Sequence, residues 1–501
     1  MFSPALRLTR FLPLVLLVAF ATPPARADDP AAAAPLTIEA CIARAMQKNF
    51  ALKIQSYTTA NAVESLVVSQ ADYDPAFKLT SSKAVNKADG AATQLVGTRS
   101  DTFNTTIGVS QKIVTGATVS VNSNLTRSAS NNPYTILNPA FASDLSLTIS
   151  QPLLKNAGPT VNRAAIERAR LGIDIANLQY KTQVLQVVNS TEGAYFDLVF
   201  AREQLRVYQL SLALAQKLLD ENQTRKITGV ATDLDVLQAQ VGVATARNNV
   251  VLAQQTVRNA QDNLLNLIGQ GEFNQTIGEV TLPPLSYFKP DLAASYQAAR
   301  DNQPTILATE QNIKQLDLDV ATAKRNRLPD LSLGGTVGYN ALDRTAADSI
   351  DRLPNGTGYS WEFDLSLTVP WGSRADKSRY RTALNNLQQM QWTLYQAEQD
   401  ITVQVRSAVR SVETNQESVT IAAQATGLSE KQYDLELARF DTGLSTSRLV
   451  LQAQDDLEKA RVSELQARVN LRKAISGLHQ LEGSSLDLYH ISITDRMAAA
   501  N

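Results

Sequence analysis

Val236-Leu237-Gln238-Ala239-Gln240-Val241-Gly242-Val243 opens a run in which Val236, Ala239, Val243, Ala246, Val250, Ala253, Val257, Ala260 and Leu264 recur in steps of three and four. That spacing is the seam of a coiled coil. The same seam returns at Val450, Ala453, Leu457, Ala460, Glu464, Ala467, Leu471, Ala474 and Leu478, at a constant offset of 214 (450 − 236), with Glu464 its one polar member. A Thr-Gly turn precedes each copy (Thr228-Gly229, Thr442-Gly443). Each copy opens alike, Leu237-Gln238-Ala239-Gln240 and Leu451-Gln452-Ala453-Gln454. The chain is one unit written twice, and its fold must account for the duplication.

Each seam is preceded by a much longer run with the same spacing. The first spans about Asn162 to Arg225, with Leu198, Ala201, Leu205, Tyr208, Leu212, Ala215 and Leu219 on one stripe; the second spans about Asp376 to Phe440. As helices these would each reach roughly 95 Å, against roughly 55–60 Å for the seam helices. Two further helical stretches, Leu36 to about Ala71 and Leu292 to about Arg325, supply the missing length. They are expected to stack end to end with the seam helices beside the long ones. Ala45-Met46-Gln47-Lys48-Asn49 aligns with Ala298-Ala299-Arg300-Asp301-Asn302, an offset of 253 (298 − 45).

Between those helices and the long ones the period changes to two. Phe103, Thr105, Ile107 and Val109 alternate with Asn104, Thr106, Gly108 and Ser110. Val119, Val121 and Leu125 oppose Ser120, Asn122 and Asn124, and Leu145, Leu147 and Ile149 oppose Ser146, Thr148 and Ser150. The second copy offers Leu331, Leu333, Val337 and Tyr339, a polar loop from Ala341 to Gly358, then Trp361, Phe363, Leu365, Leu367 and Val369; Asp144 to Thr148 and Asp364 to Thr368 are identical pentapeptides. These are strands with one apolar face. They suit either a soluble sandwich or a transmembrane barrel with an apolar outside and a polar lumen. Small polar partners, with Phe141, Tyr339, Tyr359, Trp361 and Trp371 near the segment ends, favour the barrel. Asn131-Asn132-Pro133 and Pro354-Asn355-Gly356 read as loop turns.

Composition sets further bounds. The 501 residues carry a net charge of −1, so no global field points to nucleic acid. Hydrophobic residues make up 44% and aromatics only 6%, which suits alanine-rich helix seams better than a thick core. One cysteine, Cys41, forbids an internal disulfide, and its place in a helix suggests a buried small side chain. Two histidines leave little for metal or acid–base chemistry, and His479 reads as a helix-end residue. Arg7 and Arg10, the apolar run Phe11 to Phe20 and Ala25-Arg26-Ala27 form a targeting signal, with cleavage expected after Ala27. The chain thus divides into a signal peptide 1–27, a first repeat 36–269, a connector 270–290, a second repeat 291–482 and a C-terminal tail 483–501, expected to be loose.

Half-open sheets expose edges and two-faced helices leave one face unburied. A cyclic oligomer in which strands close one barrel and helices another resolves both. The signal peptide, the start Leu36-Thr37-Ile38-Glu39-Ala40, the strand exit Ser150-Gln151-Pro152-Leu153 and the paired Thr-Gly…Leu-Gln-Ala-Gln hairpins together resemble the TolC-like outer-membrane efflux proteins, over about Leu36 to Leu481. The resemblance implies an α+β membrane protein, internally duplicated. Long antiparallel coiled-coil helices would form a periplasmic α-barrel and strands a transmembrane β-barrel completed by trimerisation. It implies residence in the outer membrane of a Gram-negative bacterium with a large periplasmic portion. The role implied is an exit duct of a tripartite efflux or type I secretion system: no catalysis, no cofactor, no metal, and a periplasmic adaptor and inner-membrane pump as partners.

The same resemblance makes the hairpin turns Thr228-Gly229-Val230-Ala231 and Thr442-Gly443-Leu444-Ser445 the periplasmic entrance and adaptor-docking tips. Asp233 and Asp235 stand where some relatives narrow that entrance with carboxylates; their plainer reading is helix N-terminal capping. The second copy has Ser447 and Leu449 at those places. The chain departs from the family's two strands per repeat, because the first half has an extra hairpin, roughly Thr102 to Arg127, which either widens the barrel or extends it outside. A periplasmic coiled-coil adaptor or a structural spacer is the alternative. Two hairpins, each with its own strands, argue against both.

Overall fold

The computed structural model describes residues 36–89, 97–269, 277–283, 288–355 and 357–492. The expected leader 1–27 and Gly356 lie outside them.

The chain begins with α1 (Ile38–Lys48) and α2 (Phe50–Ala71), where the sequence suggested one helix. The break is at Asn49, which is extended (ψ 129°). Its side chain accepts from the N–H groups of Ala51 and Leu52 and donates to the Leu267 carbonyl at 2.8 Å. Asn49 thus caps the start of one helix and the end of another. Four strands follow, β1 (Ala76–Lys87), β2 (Arg99–Lys112), β3 (Thr118–Ser130) and β4 (Ala140–Pro152). After a short turn of helix α3 (Pro159–Asn162), the long α4 (Ala164–Ile227) folds back into α5 (Asp233–Leu267). The second half runs α6 (Leu292–Asn302), α7 (Pro304–Asn326), β5 (Asp330–Asp343), α8 (Ala346–Asp351), β6 (Tyr359–Thr368), the long α9 (Arg374–Asp441), α10 (Ser447–Glu482) and α11 (Ser485–Leu488). The loop expected from Ala341 is shorter than read, since β5 continues to Asp343 and α8 fills part of it.

The first helices of the two halves match at an offset of 254 (303 − 49), because both halves break there, at Asn49 and at Gln303 before Pro304. Buried Ala45 and Ala299, and buried Leu52 and Ile306, share that offset. The offset of 253 expected from the sequence is one residue short, since Asn49 is a cap outside its helix whereas Asn302 is the last helical residue.

At any level four helices stand side by side: α2, α4, α7 and α9 nearer the sheet, and α5, α4, α10 and α9 nearer the tips. The end-to-end stacking expected from the lengths is present. Asn49 holds the end of α5, and Gly483 at the end of α10 lies against Asn302 at the end of α6. Every position of both repeated seams is buried or half-buried, with Ala239, Val450 and Leu478 closed off entirely or nearly so. Glu464 tolerates its seam position by pairing with Arg468 at 2.5 Å.

A core around Cys41, Ile42, Val184, Val188, Tyr195, Leu198, Leu264 and Ile268 sits midway along the helices. The described part of the connector is strapped over it. The Arg202 guanidinium donates to the carbonyls of Ile277 (3.0 Å) and Gly278 (2.7 Å), and the Tyr195 hydroxyl donates to that of Thr281 (3.0 Å). As far as Ser492 the expected loose tail is docked instead: Leu486 is buried in the same core and the Tyr489 hydroxyl bonds Glu192. His479 lies in the last turn of α10, its ring edge-on to Phe288 at 5.5 Å.

The six strands form one antiparallel sheet in sequence order, β1-β2-β3-β4-β5-β6. Its registers place Phe77, Val109, Val121, Leu147, Val337 and Trp361 in a single row across all six strands. The next row toward the loops is Leu79, Ile107, Ser123, Leu145, Tyr339 and Tyr359.

Candidate functional site

Two places carry the features that the sequence singled out: the hairpin tips at one end of the helices and the two-faced sheet at the other.

At the first tip α4 ends on Thr228, whose hydroxyl donates to the Arg225 carbonyl at 2.9 Å. Gly229 takes φ +78°, the left-handed conformation that reverses the chain at low cost only for glycine, and the Val230 N–H returns to the Arg225 carbonyl at 2.8 Å. The second tip repeats this at Thr442, Gly443 (φ +78°) and Leu444, whose N–H donates to the Arg439 carbonyl at 2.8 Å. Val230 and Leu444 stand out as exposed apolar points.

The tips differ at the following cap. Thr232 and Asp235 form a reciprocal capping box: Asp235 N–H donates to Thr232 Oγ1, while Asp235 Oδ2 accepts from the Thr232 N–H at 2.9 Å and from its hydroxyl at 2.6 Å. Those bonds, the hydroxyl's first, hold the Asp235 carboxyl below the usual carboxylate range. Asp233 is almost wholly exposed and pairs with Lys226. In the second copy Thr446 makes no such side-chain bond, and Ser445 bonds Glu436 instead.

Arg225, which no sequence pattern picked out, joins the two tips. Its guanidinium donates to the Phe440 carbonyl (2.8 Å), stacks on the Phe440 ring (4.0 Å to the centroid), and bonds Glu221 (2.7 Å) and Asp441 (3.3 Å). Just inside, Ser447 Oγ donates to Asn222 at 2.7 Å and Gln454 Nε2 to the Ser211 carbonyl at 2.7 Å, all four groups buried. An apolar cluster of Leu218, Tyr433, Phe440, Val450, Ala453 and Leu457 completes the joint. The second hairpin therefore docks on the first, and the tips form one unit.

On the sheet, the apolar row from Phe77 to Trp361 is between 43% and 73% exposed, so nothing among the described residues covers it. The opposite face is small and polar, and its groups satisfy one another. Thr106 donates to Asn124 (3.1 Å), Asn124 to Asp144 (3.2 Å), Thr126 to Asn104 (3.1 Å), and Thr148 pairs with Thr336 (3.0 Å). Strands β1 and β6 are edges with unpaired backbone. Among the described residues no helix is long and apolar enough to cross a membrane, and no group of three or more His, Cys, Asp or Glu side chains could hold a metal ion.

Comparison with known proteins gives a consistent answer. The sequence profile described as outer membrane efflux protein matches residues 118–270 and 295–484, which hold strands β3 to β6 and both helical hairpins. The toxin and drug export protein A of Aggregatibacter actinomycetemcomitans is 24% identical over 59% of this chain and 63% of its own length. The pyoverdine export outer membrane protein OpmQ of Pseudomonas putida is 25% identical over 63% of this chain and 67% of its own. The chain thus spans about two thirds of these relatives' length. Among solved structures, the outer-membrane channel OprN superposes with a TM-score of 0.69 at 16% identity, covering 89% of each chain. The Campylobacter jejuni CmeC outer membrane channel superposes with 0.66 at 16% identity, over 89% of this chain and 85% of that one. The shared fold runs nearly the whole described length, the profile matches in both halves, and the chain belongs to the outer membrane efflux protein family.

Proposed function

We propose that three copies of this chain assemble into an export duct of a tripartite efflux or type I secretion system. Their sheets close a barrel in the outer membrane, and their helices line a tunnel across the periplasm. The observation that carries this reading is the open sheet: an exposed apolar face, a self-satisfied polar face and two free edges, continuous with helices about 95–100 Å long. The repeats 36–269 and 291–482 each supply one helical hairpin and its strands, joined by 270–290. Cargo passes through without chemical change, and the pump supplies energy and selection.

The tips Thr228–Ala231 and Thr442–Ser445 meet the periplasmic adaptor, with Val230 and Leu444 as the apolar contact points. Asp233 and Asp235 place negative charge just inside. Cys41 is fully buried and its thiol is pushed up to about 12, chiefly by burial, so thiol chemistry reads introduced cysteines against a silent background. Short thiol cross-linkers applied to cells carrying Val230→Cys or Leu444→Cys should capture one periplasmic protein. The control Trp392→Cys, equally exposed on α9, should not. Equal capture at all three positions, or none at the tips, would refute adaptor docking.

A further inference from the structure

We propose that the membrane barrel has eighteen strands, six from each copy, with hairpin β2–β3 standing in the wall, and that its bore matches the helical tunnel beneath it. The inference rests on the trimeric duct proposed above.

The hairpin is paired along its whole length. β2 runs beside β1 from Ala76↔Ser110 to Lys87↔Arg99, and β3 beside β4 from Thr118↔Ser150 to Ser128↔Ala140. It also shares the two faces of its neighbours. Ile107, Val109 and Val121 lie in the exposed apolar rows and half-buried Val119 shares their face, while Asn104, Thr106, Asn122 and Asn124 lie on the polar side. A hairpin projecting above the membrane would need neither.

Its turn is anchored where strands pass into helices. The Gly158 N–H donates to the Thr115 carbonyl (3.0 Å), Thr115 Oγ1 to Gln151 (3.0 Å), and Gln111 to the Tyr73 carbonyl (3.0 Å). Gly116 has φ +94°, and a Cβ there would sit 2.6 Å from the Asn156 carbonyl oxygen and 2.7 Å from Asn162 Nδ2. The foot of the hairpin therefore fills the junction instead of hanging from it.

Closure and size agree with this. Six alternating strands leave β1 and β6 running in opposite directions, so β1 of one copy meets β6 of the next antiparallel, and the count stays even. Three copies of four helical columns, about 8–10 Å apart, give a tunnel perimeter of roughly 95–120 Å. Eighteen strands spaced about 4.8 Å and tilted about 40° give roughly 110 Å, or about 36 Å across. Twelve strands would give roughly 75 Å, or about 24 Å across, and a neck at the membrane.

The test uses the full-length protein in liposomes, with thiol reagents confined to lipid or to water. Val121→Cys should behave like Leu147→Cys on β4, reacting from lipid alone, and Asn122→Cys like Ser146→Cys, reacting from water alone. A deletion of residues 99–130 adds a size readout. Asn131 accepts from the Arg99 N–H at 2.8 Å and donates to Thr98 Oγ1 at 2.7 Å, so Thr98 and Asn131 already adjoin. The splice leaves β1 facing β4 with Ala76 level with Thr148, faces preserved. End-on images should show the membrane ring narrow from about 36 to about 24 Å. Val121→Cys reacting from water while Leu147→Cys reacts from lipid, or an unchanged ring, would overturn the eighteen-strand wall and leave the duct standing. Leu147→Cys reacting from water would sink both.

Discussion

Glu192 is buried to 3% exposure inside the central core, where its carboxylate accepts from the Tyr489 hydroxyl. Burial raises its pKa above the ordinary 4.5 more than hydrogen bonding lowers it. A raised acid contributes stability that is fully present below the unfolded value and is lost as pH rises through the folded one. Glu192→Gln keeps an acceptor for Tyr489 and removes the buried charge. Its melting temperature should exceed the wild type's at pH 8, with the gain vanishing toward pH 4; a gain independent of pH would contradict this. At the tip, Asp235→Ala removes the capping box and should cost about 0.5–2 kcal/mol of local stability. Amide exchange around 232–238 should then rise roughly 2- to 30-fold, while Asp235→Asn, which can still accept from Thr232, stays near wild type. The capping role of Asp235 was legible from its place at a helix start, but its partner Thr232 was not. Arg225 was not, since its acceptors at Phe440 and Asp441 lie 215 and 216 residues away and no local pattern announces them.

The helices follow a seam that repeats every seven residues, and the sequence displayed their existence and pairing plainly. Less legible was where they break. Asn49 looks like an ordinary helical residue until its side chain is seen to cap α2 and the end of α5 together. Pro304 was the available signal, since proline is tolerated at a helix's first turn and not beyond. Docking of the second hairpin on the first rests on a small joint. Leu457→Ala leaves a cavity against Leu218 and Tyr433 and should cost about 2–5 kcal/mol there. Protease sensitivity should increase near both tips and stay unchanged around Tyr195. Arg225→Lys should loosen the tips nearly as much as Arg225→Ala, because an ammonium cannot reproduce the flat stack on Phe440 with three acceptors. If Lys restores full protection, the contact is only electrostatic.

Across the whole molecule, the alternation of apolar and small polar residues disclosed β2 to β6, while β1 was marked by the proline that opens its segment, Asp74-Pro75-Ala76-Phe77, and its alternation is blurred by Lys83 and Lys87. Lys83 and Lys87 fall beyond the apolar rows, level with Arg127 and Arg99. Between the rows of Leu367 and Tyr359 the apolar band covers about 20–25 Å once tilt is allowed for, the height of a bilayer's core as barrels meet it. Ile149→Arg, level with Phe363 in the middle of that band, should cost about 2–4 kcal/mol and reduce assembled protein in outer membranes. Strand number, the tail's docking and the strap over the core required coordinates, because each depends on contacts between distant segments. The mass and outline of the detergent-extracted protein, by light scattering and negative-stain imaging, test the trimeric duct. A trimeric cylinder about 130 Å long, detergent-coated at one end, is the expected result. A monomer, or a rod that stays in solution without detergent, would contradict it.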